Sequence, residues 1–423
     1  MNATETQHAR ELFERLFAEV SAIGLDRSSG ATTRLAWTEQ AAAAAAWFDR
    51  TARSLGLEPE VDRNGNRWAW AGGADTGAGA IITGSHLDSV REGGRFDGAL
   101  GVVVGLIAVH LLAQRGEQPH SRLGVVSFAD EEGGRFDTPT FGSRAMLGSL
   151  DVQAILERRD REGVSLRDAL SDAGLTPTEL GPDPQRLQQI EAFIEVHIEQ
   201  DTLLSERDRR LALGTEILPH GRWRIDLHGE ANHAGTTPLA IRRDPMLTLA
   251  AAVTAARSVA ADERALATVG KLELAPNVTN AIAERVSLWL DVRGEDEATV
   301  RRSVERIVAA AQADADAQGV RLECSRESFV GAVRFSTDLR ARVAAILAAE
   351  GIEDLPMATG AGHDSGALAN AVPTAMLFIR SATGASHSAR ELASVEDCVF
   401  GIGALIEVLA GLANDTVKVG DDG

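Results

Sequence analysis

The sequence predicts an α/β protein whose mainly parallel sheet is flanked by helices and is interrupted by an inserted α+β domain. Apolar, strand-like runs alternate with helical segments to about Ala212, which is typical of a parallel sheet covered on both faces. From about Arg222 the strands instead alternate apolar and polar residues, as in a sheet with one exposed face. The first pattern resumes after about Phe335, so the second domain is predicted to be an insertion.

The first pattern supplies the elements of the larger domain. The alanine-rich stretch Ala41 to Ala46 predicts a helix that ends near Leu55-Gly56, and Gly72 to Gly79 predicts a flexible loop. Ala99 to Ala113 is apolar but contains His110, which favours a buried helix on the sheet over a membrane span. The strand-like runs of this domain are Ala80-Ile81-Ile82, Leu123 to Ala129, Phe193 to Ile198 and Ala375 to Ile379.

The inserted domain shows strand and helix periods in turn. The two alternating strands are predicted at Trp223 to Gly229 and at Val286 to Val292, and the helices at Asp244 to Ala261 and Glu295 to Ala317. The predicted boundaries are therefore residues 1–212 for the first part of the larger domain, 213–330 for the insertion and 331–423 for the second part.

Composition excludes several classes of protein. The chain has 423 residues, more than one core usually supports, and a net charge of −20, which argues against nucleic acid or an anionic membrane as a partner. The N-terminal segment is amphipathic and lacks the apolar region of a secretory signal. Only two cysteines occur, Cys324 and Cys398, and their wide separation favours a reducing, cytoplasmic compartment.

Histidines and carboxylates lie at or near the ends of the four strand-like runs. His86 and Asp88 follow Ala80-Ile81-Ile82, and Asp97 lies in the next loop. The other candidates are Glu131 and Glu132 after the second run, His197 within the third, and His387 after the fourth. Because α/β folds collect functional groups at these ends, the pattern predicts a metal site.

The residue types suit two metal ions that share one carboxylate. A bridging Asp with imidazole and carboxylate ligands leaves open positions for water. One of the adjacent pair Glu131 and Glu132 can bind metal while the other acts as general base, because neighbours in an extended chain point to opposite sides. A shell of nitrogen and oxygen without sulfur suits Zn²⁺ or Mn²⁺, with Co²⁺ and Ni²⁺ also possible.

Three residues of the inserted domain are candidates for substrate contacts. His233 lies beside a turn, Asn280 follows Pro276-Asn277-Val278-Thr279, and Arg293 ends a strand. Taken singly, each is typical of a solvent-exposed turn or strand-end residue. Together they offer an oxyanion donor and a carboxylate partner, which a dinuclear hydrolase needs.

Seven motifs occur in the order found in one enzyme family. They are Gly84-Ser85-His86-Leu87-Asp88, Gly93-Gly94-Arg95-Phe96-Asp97-Gly98, Glu131-Glu132-Gly133, His197-Ile198-Glu199-Gln200, His233-Ala234-Gly235-Thr236-Thr237-Pro238, Gly362-His363-Asp364 and Ser386-His387. Over about residues 8–413 the chain resembles the hydantoinase/carbamoylase branch of the dinuclear M20 amidohydrolases, above all the allantoate amidohydrolases and N-carbamoyl-L-amino acid hydrolases. The resemblance implies a dinuclear metallopeptidase-like catalytic domain and an inserted lid/dimerisation domain, with a homodimer as the expected assembly.

The resemblance also implies a role for each candidate. Asp97 would bridge two metal ions, with His86 and His197 completing one shell and Glu132 and His387 the other. Glu131 would be the general base, Asp88 would orient His86, and His233 would donate to the oxyanion. The residues implied around the substrate are Gln200, Arg222, His233, Asn280, Arg293 and His363, with Arg293 paired to its carboxylate.

The chain departs from the commonest family pattern without losing a ligand or the base. Ser89, Ala283 and Arg380 stand where Thr, Pro and Pro are usual, and the segment Leu218 to Trp223 differs where substrate identity could be read. The sequence thus predicts a metal-dependent amidohydrolase acting on a small ureido or N-carbamoyl carboxylate, first of all allantoate. N-carbamoyl-L-amino acids or other N-acyl or N-formyl amino acids are the alternative substrates, and a non-catalytic, metal-stabilised binding protein is the alternative of another class.

Overall fold

The computed structural model describes residues 1–72, 79–116 and 120–414. The predicted loop from Gly72 to Gly79 lies largely outside the described residues. Two compact units can be distinguished. The larger unit comprises Met1–Thr215, Arg334–Met357 and the chain from Gly362 onward, and the inserted unit comprises Glu216–Val333 with Ala358–Ala361.

The chain enters the larger unit first. Its helices in this part are α1 (Ala3–Ser21), α2 (Glu39–Ser54), α3 (Ala99–Gln114), α4 (Phe141–Leu147), α5 (Val152–Ile155), α6 (Leu166–Asp172), α7 (Pro184–Gln188) and α8 (Leu203–Glu206). Its strands are β1 (Leu57–Val61), β2 (Arg67–Ala71), β3 (Ala80–His86), β4 (Arg122–Phe128), β5 (Ile190–Ile198) and β6 (Leu211–Ile217). The helix predicted from Ala41 ends at Ser54, just before Gly56, whose φ of 76° suits glycine at a helix end.

The inserted unit and the return to the larger unit follow. The elements of the insertion are β7 (His220–His228), β8 (Asn232–His233), α9 (Pro245–Glu263), β9 (Leu266–Ala275), β10 (Ala281–Ile282), β11 (Arg285–Arg293), α10 (Glu297–Gln318) and β12 (Arg321–Val330). The last elements are β13 (Val333–Arg334), α11 (Thr337–Ala349), β14 (Pro356–Thr359), α12 (Asp364–Leu368), β15 (Thr374–Ile379) and α13 (Val395–Asn414).

The sheet of the larger unit has a parallel centre and antiparallel flanks. Its strand order is β1-β2-β4-β3-β5-β15-β6-β13, with β14 beside β6. The four neighbouring strands β4, β3, β5 and β15 are parallel, whereas β1/β2, β2/β4 and β15/β6 pair antiparallel. These four parallel strands are the four runs that carry the candidate ligands, so their carboxyl ends lie along one edge of the sheet.

Apolar packing covers both faces of this sheet. Helix α3 is buried on nearly all sides between the sheet and helices α1 and α13, as its uniformly apolar sequence predicts. On the opposite face Trp68, Phe128 and Phe193 pack with Met146 of α4 and Leu368 of α12. The α/β class predicted from the sequence is confirmed.

The inserted unit has a four-stranded antiparallel sheet in the order β12-β7-β11-β9. Ile225, Leu227, Leu288 and Leu290 form one buried face with helices α9 and α10. The intervening residues, such as Arg224 and Asp226, lie on the more exposed face. The alternation in the sequence therefore corresponds to the α+β arrangement predicted for this segment.

Candidate metal centre and active site

The candidate ligands converge because their strands are neighbours in the sheet. His86 is the last residue of β3, and His197 is the next-to-last residue of β5. Glu132 follows the end of β4, and His387 follows β15 in a left-handed conformation with a φ of 52°. Asp97 reaches them from the loop that precedes α3.

Two groups of side chains could each hold a metal ion, and Asp97 belongs to both. The first is His86, Asp97 and His197, and the second is Asp97, Glu132 and His387, with the ligand atoms of each group within 4.8 Å of one another. His86 Nε2 and His197 Nε2 lie 3.4 and 3.1 Å from Asp97 Oδ1. His387 Nε2 lies 3.5 Å from Asp97 Oδ2 and 3.4 Å from Glu132 Oε2.

The histidine tautomers test whether this arrangement fits a cation. The Nδ1 atoms of His86 and His197 lie 3.1 and 2.8 Å from the backbone oxygens of Asp88 and Ile198, which can only accept, so each Nδ1 carries a proton. The remaining ring nitrogen, Nε2, faces the Asp97 carboxylate, and a cation bound between them would take the place of a proton on Nε2. Two ligands at the usual bond lengths of about 2.0–2.2 Å from a tetrahedral metal ion stand about 3.3 Å apart, which matches these contacts.

The electrostatics of the site indicate the same need for positive charge. Burial disfavours the charged form of His86, but the hydrogen bond to Asp97 and the charges of Glu131 and Asp88 outweigh it and raise the pKa of the ring well above its usual value. Burial, together with the charge of Asp97, raises the pKa of Glu132. Among the described residues Glu132 Oε1 is buried and has no hydrogen-bond partner. The donor set therefore fits divalent metal ions.

Glu131 lies beside this centre without belonging to either ligand group. Its Oε2 is 3.7 Å from His86 Nε2, and the side chain is buried. Burial raises the pKa of the Glu131 carboxyl well above its usual value, opposed by the charge of His86 and reinforced by nearby carboxylates. A carboxylate with a raised pKa beside a metal centre is suited to proton transfer.

Asp88 contacts more than the histidine it was predicted to orient. Its carboxylate accepts hydrogen bonds from the backbone N–H groups of Glu131 and Glu132, at 3.1 and 3.0 Å. The His86 ring is nearer to the backbone oxygen of Asp88, at 3.1 Å, than to its carboxylate, at 3.7 Å. Asp88 therefore connects the end of β3 to the loop that carries both glutamates.

Gln200 and His363 also lie beside the candidate ligands. Gln200 Nε2 donates to Asp97 Oδ2 at 3.2 Å and to Ser386 Oγ at 2.9 Å. The His363 ring is buried, with its centroid 4.5 Å from that of His197, and burial lowers its pKa well below the usual value. His363 is thus neutral, and its Nε2 has no hydrogen-bond partner in the part of the chain that the structure describes.

Glu391 is a supporting residue that sequence reasoning missed. Its Oε1 accepts hydrogen bonds from the backbone N–H groups of Phe96 and Asp97, both at 2.8 Å, and the residue is buried. Gly94 lies so close that a Cβ would overlap with the Glu391 carboxylate. The only signal in the sequence was the glycine pair Gly93-Gly94, which does not identify a partner almost 300 residues away.

The inserted unit carries the remaining four candidates in two places. His233 and Asn280 are neighbours, because β8 pairs with β10 and the Ala234 N–H donates to the backbone oxygen of Asn280 at 3.0 Å. The Gly235 N–H donates to His233 Nδ1 at 3.0 Å, so the neutral ring carries its proton on Nε2. His233 is exposed and presents this Nε2–H as a hydrogen-bond donor.

Arg222 and Arg293 lie on either side of Asp291 at one end of the inserted sheet. Arg293 Nε donates to Asp291 Oδ1 at 2.9 Å and its Nη1 to the Gly360 oxygen at 2.5 Å, while Arg222 Nη2 is 3.9 Å from Asp291 Oδ2. The side chain of Arg222 is 52% exposed. Two guanidinium groups around one carboxylate leave net positive charge for an anion.

The sequence pattern of peptidase family M20/M25/M40 matches residues 82–411. The chain belongs to this family.

It is 36% identical over 407 residues to an N-carbamoyl-L-amino acid amidohydrolase of Geobacillus stearothermophilus, covering 95% of this chain and 98% of that relative. It is 32% identical over 388 residues to an allantoate amidohydrolase of Bacillus subtilis, covering 91% and 94%. An amidase of the hydantoinase/carbamoylase family from Burkholderia vietnamiensis has a similar structure, with 28% identity, a TM-score of 0.86 and coverage of 97% and 98%.

These similarities confirm the predicted family and enzyme class. The chain is an M20 amidohydrolase, a hydrolase of non-peptide C–N bonds, and not the non-catalytic binding protein that was the alternative. Across the described residues, no helix is both long and apolar enough to span a membrane.

Proposed function

We propose that the chain hydrolyses the terminal ureido or carbamoyl group of a small carboxylate, with allantoate as the first candidate. The observation that carries this proposal is the position of Asp97 in both ligand groups, with Glu131 close by and outside both. A bridging carboxylate beside a separate, buried carboxylate is the arrangement that a dinuclear hydrolase requires. The allantoate amidohydrolase of Bacillus subtilis, alike over nearly its whole length, supports the substrate class.

His86 and His197 would hold one ion, Glu132 and His387 the other, and Asp97 both. Divalent ions bound there, Zn²⁺ or Mn²⁺ in the first place and Co²⁺ or Ni²⁺ otherwise, supply Lewis-acid polarisation of the carbonyl and acidify water. Glu131 takes a proton from the attacking water and later passes it to the departing nitrogen. Its raised pKa favours both transfers. A group that acts first as a base and then as an acid works best when its pKa lies near the operating pH.

The residues of the inserted unit take the substrate-binding roles in this proposal. His233 Nε2–H donates to the developing oxyanion, and Arg293 pairs with the substrate carboxylate. Arg222 and Asn280 of the inserted unit, and Gln200 and His363 of the larger unit, contribute the other polar contacts. The net positive charge of Arg222 and Arg293 around Asp291 supports an anionic group as the ligand of these two arginines. A homodimer, a cytoplasmic location and a lid role for the inserted unit belong to the same proposal.

N-carbamoyl-L-amino acids are the second candidate substrates. The Geobacillus stearothermophilus N-carbamoyl-L-amino acid amidohydrolase is at least as similar to the chain as the allantoate enzyme, at 36% against 32% identity. Both substrate types present an amide carbonyl close to a carboxylate. Other N-acyl and N-formyl amino acids share that feature and follow as third candidates.

Product release from a substrate panel tests the proposal. The protein is loaded separately with Zn²⁺, Mn²⁺, Co²⁺ or Ni²⁺ and incubated with allantoate, N-carbamoyl-L-amino acids, and N-formyl and N-acetyl amino acids. Ammonia is measured for the first two groups and free amino acid for the others. We expect ammonia from allantoate, and release from carbamoyl amino acids alone would move the function to the second candidate. No turnover of any substrate with any of the four metals would overturn the proposal.

A further inference from the structure

The turn between β1 and β2, which lies beside the carboxyl end of β4, contains several buried polar side chains. Asp62, Asn64 and Asn66 are all buried in the segment between β1 and β2. The Asp62 carboxylate accepts from the backbone N–H groups of Asn64 and Asn66 at 2.9 and 3.0 Å, from Asn66 Nδ2 at 2.8 Å and from Trp68 Nε1 at 3.0 Å. Burying such groups costs free energy unless every one is satisfied, so the network gives Asn66 a fixed orientation.

The Asn66 amide bridges two backbone segments outside its own turn. Its Oδ1 accepts from the backbone N–H of Ala129 at 3.0 Å, and its Nδ2 donates to the backbone oxygen of Gly142 at 3.3 Å. Ala129 directly follows β4, and Gly142 is the second residue of α4. A Cβ on Gly142 would overlap with Asn66 Oδ1, so this bridge requires glycine there.

The bridged segments form a short ladder that ends at Glu131. The N–H groups of Gly142, Phe141 and Thr140 donate to the backbone oxygens of Ala129, Asp130 and Glu131, at 2.8, 3.0 and 2.6 Å. Asn66 bridges the first of these three backbone pairs, Ala129 and Gly142. The other two pairs continue from there to the backbone of Glu131.

The geometry points to Asn66 as a positioning residue for the general base: its amide holds Ala129 and Gly142 together and so fixes the backbone of Glu131. Asn66 acts through this ladder, and its hydrogen bonds among the described residues go to Asp62, Gly142 and Ala129 rather than to a candidate ligand. The inference rests on the proposed function only where it names Glu131 as the base. The constraint on the loop is a property of the fold and can be measured without a substrate.

Asn64 provides a matched control within the same turn. It is as completely buried as Asn66, its Nδ2 donates to the Gly181 oxygen at 2.9 Å, and its Oδ1 accepts from the Gly181 N–H at 2.8 Å. Each asparagine thus makes one bond as donor and one as acceptor to backbone outside the turn. Only Asn66 reaches the ladder that carries Glu131.

Kinetics of Asn66→Ala and Asn64→Ala separate positioning from stability. Both variants should lose thermal stability, because each leaves a pair of buried backbone groups unsatisfied, and Asn66→Ala should lose more because it also removes the bond from Nδ2 to Asp62. Asn66→Ala should in addition lower kcat by about 10- to 100-fold with little change in KM, since a misplacement of about 1 Å in a reacting group can cost that much. Asn64→Ala should leave kcat near the parent value. An equal loss of kcat in both variants would overturn the inference.

Amide hydrogen exchange gives a readout that does not depend on turnover. In Asn66→Ala the amides of Ala129, Thr140, Phe141 and Gly142 should exchange faster than in the parent, whereas Asn64→Ala should leave them unchanged. Unchanged exchange in Asn66→Ala would refute the inference. If the parent hydrolyses none of the substrates tested, the proposed function fails while this comparison still decides the role of Asn66.

A second variant tests the same bridge from its other side. Gly142 does not have a positive φ, but a Cβ in Gly142→Ala would overlap with the Asn66 amide and also approach the Ala129 backbone nitrogen to 2.8 Å, so the variant disturbs both the bridge and the first rung of the ladder. We expect faster exchange at Ala129 and a lower kcat, as for Asn66→Ala. If Asn66→Ala fails to fold, Gly142→Ala supplies both measurements, and parent-like exchange and kcat in this variant would overturn the inference.

Discussion

The Asp88 carboxylate accepts a hydrogen bond from the backbone N–H of Glu131, with 3.1 Å between Oδ1 and the nitrogen. Its other oxygen accepts from Glu132 in the same way, at 3.0 Å. Because the backbone oxygen of Asp88 also contacts the His86 ring, one residue sets the relative positions of a ligand from β3 and the two glutamates after β4. These hydrogen bonds fix the backbone of Glu131 and Glu132, so that one side chain can serve as the proposed base and the other as a candidate metal ligand.

Loss of the shared carboxylate should remove both metal ions. Asp97→Ala takes one ligand from each of the two groups, and the larger unit should still fold because its sheet does not depend on that side chain. Metal analysis of the purified variant should find neither ion, and turnover should be nearly abolished while the far-UV circular dichroism matches the parent. Two ions retained per chain would show that Asp97 is not the bridge.

The two adjacent glutamates should respond differently to the same change. Glu131→Gln should keep near-normal metal content and lose about 100- to 10,000-fold in kcat, as expected for removal of a general base. Glu132→Gln should weaken metal binding as well, because Glu132 belongs to a ligand group and Glu131 does not. Metal titration and kinetics of both variants check this. The reverse pattern would exchange the two roles.

The convergence of the candidate ligands was predictable from the sequence because it depends on local order along the chain. His86, Glu132 and His197 each lie at or just after the end of an apolar run, and parallel strands bring such ends to one edge of a sheet. The supporting contacts were not predictable in this way. Glu391 accepts a hydrogen bond from Asp97, and Asn66 from Ala129. The two residues of each pair are far apart in the sequence and become neighbours only in the folded chain.

The hydrogen-bond partners of the Asp88 carboxylate could not be predicted from the sequence either. A carboxylate two residues after His86 suggested a hydrogen bond to the ring, yet in the folded chain that carboxylate is used by two backbone N–H groups from another strand end. Backbone donors compete for a buried carboxylate, and residue spacing contains no information about which of them comes near.

Glu391 should control metal affinity through the loop of Asp97. Glu391→Ala leaves two buried backbone N–H groups without an acceptor and frees the loop, so metal affinity should fall about 10- to 100-fold, as for other supporting residues of metal ligands. Glu391→Gln retains an acceptor oxygen and should bind metal nearly as well as the parent. Competition with a chelator measures both. Equal affinity in the parent and in Glu391→Ala would remove Glu391 from the site.

The last prediction concerns the proposed carboxylate partner, Arg293. Its guanidinium is oriented by Asp291 and by the Gly360 oxygen, and a planar group fixed in this way can bind a carboxylate through two parallel hydrogen bonds, which lysine cannot reproduce. Arg293→Lys should therefore cost about 1.5–3 kcal/mol of binding, the usual value for a hydrogen bond to a charged group, and appear mainly as a raised KM for acidic substrates.

An amide analogue without the carboxylate supplies the control for Arg293. The parent should hydrolyse it poorly, and Arg293→Lys should change that rate little, because the interaction that the substitution removes is already missing. Arg222→Lys is the matched variant, since Arg222 flanks the same aspartate but is 52% exposed and held by only a 3.9 Å contact. If Arg293→Lys leaves KM and kcat unchanged for every acidic substrate while Arg222→Lys raises KM, Arg222 is the carboxylate partner and Arg293 only orients Asp291.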